Sequence, residues 1–171
     1  MKVREATPAD APVVARLNAV VQRLHHEAHP DRFCPPHEKA TTPLFRDWLS
    51  GADQRWLPGT AVTKAWLCED DRGEPLGYVL AVHRETPVSP FKPAMSWIQL
   101  DQIAVREDTR RCGIGNALVG AVEHWAHSLH VDTIELSVGE FNEGARRFFS
   151  ALGFVALTTQ MIRRDTLSPR Q

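Results

Sequence analysis

The chain has 171 residues, of which 43% are hydrophobic by type and 24% charged, with a formal net charge of −1. One domain of this length buries about 70% of the surface its unfolded chain exposes, so no disulfide or metal staple is required, and the near-neutral balance offers nucleic acid no basic field. Three widely spaced cysteines, Cys34, Cys68 and Cys112, form no C-x-x-C pair, and neither a signal-peptide core nor eighteen uninterrupted apolar residues occur. Reduced thiols, a cytoplasmic location and no membrane partner are the expectation.

Lys2 to Ala6 reads as a short first strand. Thr7-Pro8-Ala9-Asp10 then predicts a helix start, with Thr7 as N-cap, Pro8 at the first helical position and Asp10 reaching back as in a capping box. Val13, Val14, Leu17, Val20, Val21 and Leu24 recur at helical spacing, giving a helix that buries one face and ends before Pro30. His29 to Thr42 is proline-rich and weakly periodic, so it reads as a loop. A shorter helix is predicted from Pro43 to Ser50, carrying Leu44, Phe45, Trp48 and Leu49, with Gly51 as its stop. Ala61 to Cys68 and Leu76 to His83 predict strands, joined as a hairpin by Asp70-Asp71-Arg72-Gly73. Glu85 to Pro93 carries three prolines and reads as a loop overhanging the end of the next strand, Ser96 to Val105.

A helix follows with Leu118, Val119, Val122, Trp125 and Leu129 inward, then a strand Thr133 to Val138, a helix from about Asn142 to Leu152, and a last strand Phe154 to Ile162. This order, without repeat or linker, predicts a single α/β domain over residues 1–171, with 163–171 as a frayed tail and helices on both faces of the sheet.

Between the strand ending at Val105 and its helix stands Arg110-Arg111-Cys112-Gly113-Ile114-Gly115. Two glycines at a helix start leave backbone N–H groups uncovered, and these donors, with the positive end of the helix dipole and two arginines, attract phosphate. The loop lacks the third glycine of a dinucleotide fingerprint, and no Gly-Lys-Ser/Thr follows. A different phosphate ligand is indicated.

This loop resembles the Q/R-x-x-G-x-G/A pyrophosphate loop of the GCN5-related N-acetyltransferase (GNAT) superfamily. Downstream, Asn142-x-x-Ala145-x-x-Phe148-Phe149-x-x-x-Gly153-Phe154 is similar to that superfamily's N-x-x-A-x-x-F-Y-x-x-x-G-F element. The resemblance spans roughly Leu76 to Arg163. It implies a mixed, mostly antiparallel central sheet whose fourth and fifth strands splay apart, with acetyl-coenzyme A in the gap. It also implies that Ile103, Ala104 and Val105 hold the pantetheine arm through their backbone, that Arg110, Arg111, Cys112, Gly113, Ile114, Gly115 and Asn116 surround the pyrophosphate, and that Asn142, Phe148 and Phe149 border the cofactor. Asn142 reads equally as a helix cap. A homodimer is a further expectation of the superfamily.

Acetyl transfer to an amine needs a proton acceptor, donors for the developing oxyanion and a proton for the departing thiolate. Asp101 stands where the resembling polyamine acetyltransferases carry a Glu, and serves either as base through water or as an anchor for an ammonium group. Gln99, on the same strand face, stands where histone-type members carry their base, and an amide cannot act as one. Glu140 is the second catalytic candidate. Phe149 replaces the Tyr that many members use as acid, while Tyr78, the only tyrosine, reads as a packing residue.

His26-Glu27-Ala28-His29 is not H-E-x-x-H, and no partner stands at metal spacing, so no metal is expected. His29, Phe33, His83, Trp97 and Gln99 are instead candidates for an acceptor pocket. Together these residues point to an acetyl-coenzyme A-dependent N-acetyltransferase that transfers directly to a primary amine of a small molecule in a ternary complex. Cys112 lies too far from the thioester for an acyl-enzyme. A protein or peptide amine as acceptor and a non-catalytic acyl-coenzyme A sensor are the alternatives.

Overall fold

The computed structural model describes residues 1–51 and 62–163. In chain order it contains β1 (Lys2–Glu5), a 3-10 turn (Pro8–Asp10), α1 (Ala11–Ala28), α2 (Glu38–Ser50), β2 (Val62–Glu69), β3 (Pro75–Thr86) and β4 (Met95–Val105). A second 3-10 turn (Glu107–Thr109), α3 (Ile114–Ser128), β5 (Ile134–Leu136) and α4 (Glu143–Ala151) complete it. The chain divides into two compact units, Met1–Ser137 and Val138–Gln171.

The first unit holds one sheet in the order β1-β2-β3-β4-β5. Neighbours are antiparallel except β4 and β5, which run parallel. The period of two along each strand sorts side chains to two faces. Ala65, Leu67, Tyr78, Leu80, Val82 and Ala104 form one core with Val14 and Leu17 of α1 and Phe45 of α2. On the other face Trp66 meets Trp125 of α3, with ring centroids 5.6 Å apart. Gly77 allows this close packing, because a Cβ there would lie 2.7 Å from the Ala104 carbonyl and 3.3 Å from the Ile114 and Leu118 side chains. The expected mixed sheet with helices on both faces is therefore what the chain forms. Among the described residues no helix is long and apolar enough to cross a membrane.

Four details differ from the sequence reading. First, α2 starts at Glu38, not Pro43, because the His37 Nδ1 atom accepts the Ala40 N–H at 3.2 Å and caps an earlier turn. Pro43 then sits inside the helix, without an N–H to continue the ladder. Second, β5 has three residues, and its register reaches only Ile98, Gln99 and Leu100. Third, Leu129 is 39% exposed, because α3 ends at Ser128 and His130 turns the chain at φ 56.

Fourth, Phe154 to Ile162 forms no strand. Its apolar side chains suit a sheet, but a strand needs a paired backbone, and the described part of the second unit holds no other strand to supply one. Val155, Leu157 and Met161 stay 87%, 81% and 90% exposed. The first residue of the strand read as Ala61 to Cys68 lies outside the described residues.

The start of the chain is pinned by charge. Arg4 donates Nε to Glu69 at 2.9 Å and both terminal nitrogens to Asp10 at 2.9 and 2.8 Å, tying β1 to β2 and to the first turn. Asp10 also accepts the Thr7 N–H at 2.8 Å, as the capping pattern predicts. The Arg4 hydrogen bond, followed by those from Thr7, holds the Asp10 carboxyl well below the usual carboxylate range. A group with a depressed folded pKa contributes stability above its unfolded pKa and loses it as pH falls. Asp10→Asn should therefore cost about 1 kcal/mol at neutral pH, limited because the Arg4 side chain is 33% exposed. In urea unfolding the gap to the native chain should start to close below about pH 4, where the unfolded carboxyl takes up its proton.

Candidate functional site

The ladder between β3 and β4 carries an irregularity that sets the site. Leu80 pairs with Gln102 and Ala81 with Leu100, so Asp101 is an extra residue bulged out of β4. The β5 pairing stops at Leu100, immediately before this bulge. Beyond it, no strand among the described residues pairs with β4 on that side.

Backbone alternation says which groups this opens. The Ile98 N–H donates to the Thr133 carbonyl at 2.9 Å, toward β5, whereas the Arg106 N–H donates to the Leu76 carbonyl at 2.9 Å, next to β3. Counting back from Arg106 in steps of two turns Ala104 and Gln102 to β3, and leaves Ile103 and Val105 facing the open edge. Without the inserted residue, this parity would be reversed. The backbone of Ala104, in contrast, is committed to its β3 partner Tyr78.

The glycine loop follows this edge. Arg111 has φ 68, a left-handed conformation rare for a residue with a side chain, and Gly113 has φ 80. Gly113 is the N-cap of α3 and offers no capping side chain, and no acid occupies the first turn. By comparison α2 begins with Glu38 behind the cap from His37, and α4 with Glu143 behind Asn142. The first N–H groups of α3 and its dipole thus meet no negative charge from the helix itself, and an anion suits them. Arg110 is half-exposed, with Glu107 at 3.6 Å, and the exposed Cys112 thiol lies 3.6 Å from the Arg110 carbonyl.

Asp101 is more than a third open to solvent, and the protein mass around it still pushes its carboxyl above the ordinary range. The Gln102 side chain and the charge of Arg84 act in the opposite direction. Gln102 is itself held, since its Oε1 accepts from the Tyr78 hydroxyl at 2.8 Å and from Asn18 Nδ2 at 3.2 Å. The Asn18 amide also donates to the Tyr78 oxygen at 2.9 Å. Tyr78 is fully buried, and burial pushes its hydroxyl up, so it stays neutral. The sequence reading passed over Asn18 and Gln102. Their signal was present, as an amide inside the apolar stripe of α1 and another inside the apolar run of β4.

The remaining candidates fall in several places. Gln99 Nε2 donates to the Glu135 carbonyl at 3.4 Å, bridging β4 to β5. Its neighbour on that strand face, Trp97, has a buried indole N–H without a hydrogen-bond partner. His83 belongs to the opposite face, where its ring lies 6.5 Å from that of Trp125, and its Nε2 is 2.8 Å from the Ser96 hydroxyl. Phe33 stacks on His25 at 4.9 Å, while the His29 carbonyl accepts the Arg32 and Phe33 N–H groups, folding the loop against the end of α1.

In the second unit, Asn142 Oδ1 caps α4 by accepting the Ala145 N–H at 3.1 Å. Glu140 is paired with Arg146. Phe149 is buried beside Phe148 and Phe154, with ring centroids at 5.1 and 5.5 Å, and Phe148 is half-buried. Among the described residues no group of three His, Cys, Asp or Glu side chains is placed to hold a metal.

Residues 21–154 match the family described as Acetyltransferase (GNAT) family. No curated protein matches the chain. Among solved structures, a tetramutant of the BH1408 protein from Bacillus halodurans superposes with a TM-score of 0.86 at 27% identity, over 96% of this chain and 99% of that one. Aminoglycoside N-acetyltransferase AAC(6')-Iy in complex with CoA gives 0.67 at 16% identity, over 96% and 98% of the two chains. A ribosomal-protein-alanine N-acetyltransferase from Brucella melitensis biovar Abortus 2308 gives 0.66 at 18%, with the same 96% and 98% coverage. At such identities the last two likenesses show the fold alone. The family match, which spans both the interrupted β4 edge and the glycine loop, is the finding that identifies the chain: it belongs to the Acetyltransferase (GNAT) family.

Proposed function

We propose that the protein transfers the acetyl group of acetyl-coenzyme A directly to a primary amine of a small molecule, with both substrates bound together. The observation that carries this reading is the bulge in β4, which sets the carboxyl-bearing Asp101 at the start of an open backbone edge. The residues fit the cofactor. An uncapped helix start without an acid suits a pyrophosphate, and an unpaired strand edge suits the two amides of a pantetheine arm. Bound there, acetyl-coenzyme A supplies an activated acyl group.

Backbone N–H groups from Arg111 to Asn116 hold the pyrophosphate in this reading, and Ile103 and Val105 hold the arm. An alkyl ammonium has no lone pair for attack, so Asp101 takes its proton, directly or through water. The amine nitrogen then bonds to the acyl carbon as the carbon–sulfur bond breaks. Phe149 has no proton to give, so the thiolate is protonated by the amine itself or by water. Glu140 is engaged by Arg146, which favours Asp101 as base. A carboxylate at that place serves a small acceptor amine as base or as anchor for its ammonium group.

A thiol-release assay across a panel of small amines and amine-bearing peptides tests the proposal. Turnover of a small amine supports it, turnover of peptides alone redirects the acceptor to protein, and acetyl-coenzyme A binding without any turnover leaves a sensor. Gly115→Val should weaken acetyl-coenzyme A binding at least about tenfold in calorimetry, since a branched side chain beside the first helical N–H groups intrudes on the pyrophosphate. Asp101→Asn should lower turnover by a factor of about 10² to 10⁴ while sparing acetyl-coenzyme A affinity. In the native enzyme kcat/KM should fall as pH drops through the raised pKa of Asp101, because only the ionised carboxylate accepts a proton, and this acid limb should vanish in the Asn variant.

A further inference from the structure

The polar cluster beneath Asp101 has no part in the chemistry proposed so far, yet it is closed and specific. Three donors and acceptors from three elements, Asn18 of α1, Tyr78 of β3 and Gln102 of β4, satisfy one another at 2.8 to 3.2 Å. The Tyr78 hydroxyl receives the Asn18 amide and gives its proton to Gln102 Oε1, which also accepts from Asn18. With its oxygen taken by two donors, the Gln102 amide can turn only one way. Its NH2 group is then the end available to the neighbouring carboxylate.

We infer that Gln102 is the positioning residue of the site: clamped by Tyr78 and Asn18, its amide donates to Asp101 and holds that carboxyl in place. The inference rests on the reading of Asp101 as the amine's base. The bulge creates the need for such a clamp, because Asp101 is the inserted residue and has no cross-strand neighbour of its own. Residues 101 and 102 are also adjacent in sequence, and the extra residue breaks the alternation that otherwise sends neighbours to opposite faces. A donor fixed beside a carboxylate favours its ionised form and counters the surrounding desolvation.

Other groups near Asp101 do not duplicate this role. From β3 it feels the charge of Arg84 and faces the neutral Tyr78, and from α1 the cluster presents only the uncharged Asn18. On β5, Glu135 stands opposite Gln99, with its carbonyl accepting from that side chain.

The test is a carbon-detected NMR titration of the Asp101 carboxyl, assigned by its loss in Asp101→Asn, in the native protein and in Gln102→Met and Tyr78→Phe. The pH profile of kcat/KM is recorded on the same proteins. The Asp101 midpoint should rise in Gln102→Met and rise less in Tyr78→Phe, which frees the amide without removing it. The acid limb should move to higher pH with each midpoint, at a loss of about tenfold in rate per unit below it, while KM for acetyl-coenzyme A stays within about twofold. A folded Gln102→Met with an unmoved midpoint overturns the inference, and if that variant fails to fold, an unmoved midpoint in Tyr78→Phe does so. Full turnover in Asp101→Asn would instead remove Asp101 as base, and the midpoints would still decide whether Gln102 holds it.

Discussion

The one-residue insertion at Asp101 is the constraint on which the site depends. A strand in register with both neighbours would have no free backbone, and its side chains would alternate without interruption. By adding a residue where β5 ends, β4 turns Ile103 and Val105 outward, while Ile98 and Leu100 stay committed to β5. The same insertion brings Asp101 and Gln102 together. An unpaired edge of this kind is an aggregation liability in another protein, and in the proposed function it is the edge that binds the cofactor. Its short length and the glycine loop that follows limit what can add to it.

Electrostatics completes the arrangement by leaving charge unbalanced in two places. Most charged groups at the start of the chain find partners, as Arg4 does with Asp10 and Glu69. The start of α3 has neither cap nor acid, and Arg111 is held at a positive φ just before it. Strain of this kind persists where surrounding structure enforces it, and it clusters at binding sites. Asp101, a carboxyl, stands at the far end of the open edge. In the proposed function an anionic cofactor tail and a cationic acceptor take different ends of β4.

Much of this was legible in the sequence. The glycine loop announced itself because its glycines and arginines are adjacent, and the capping pattern at Thr7 and Asp10 is equally local. Amphipathic spacing placed α1 and α3, and the turn composition at Asp70 to Gly73 placed the β2–β3 hairpin. What escaped depends on contacts distant in sequence. The bulge is visible only once β3 is laid against β4, and the Asn18–Tyr78–Gln102 cluster joins elements far apart in the chain. His83 shows the limit of residue type as a guide, for register sends it to the α3 face, away from Gln99. The run Phe154 to Ile162 has strand composition but no partner among the described residues of its unit, and composition cannot supply one.

Amide hydrogen exchange resolved to single residues along β4, with and without acetyl-coenzyme A, tests the central claim most directly. The N–H groups of Gln102 and Ala104 are assigned to β3, and those of Ile103 and Val105 to the open edge. The cofactor should slow exchange at one or both of Ile103 and Val105, together with the first N–H groups of α3, and change Gln102 and Ala104 much less. Protection that follows the opposite parity, or binding that leaves Ile103 and Val105 unchanged, would contradict it.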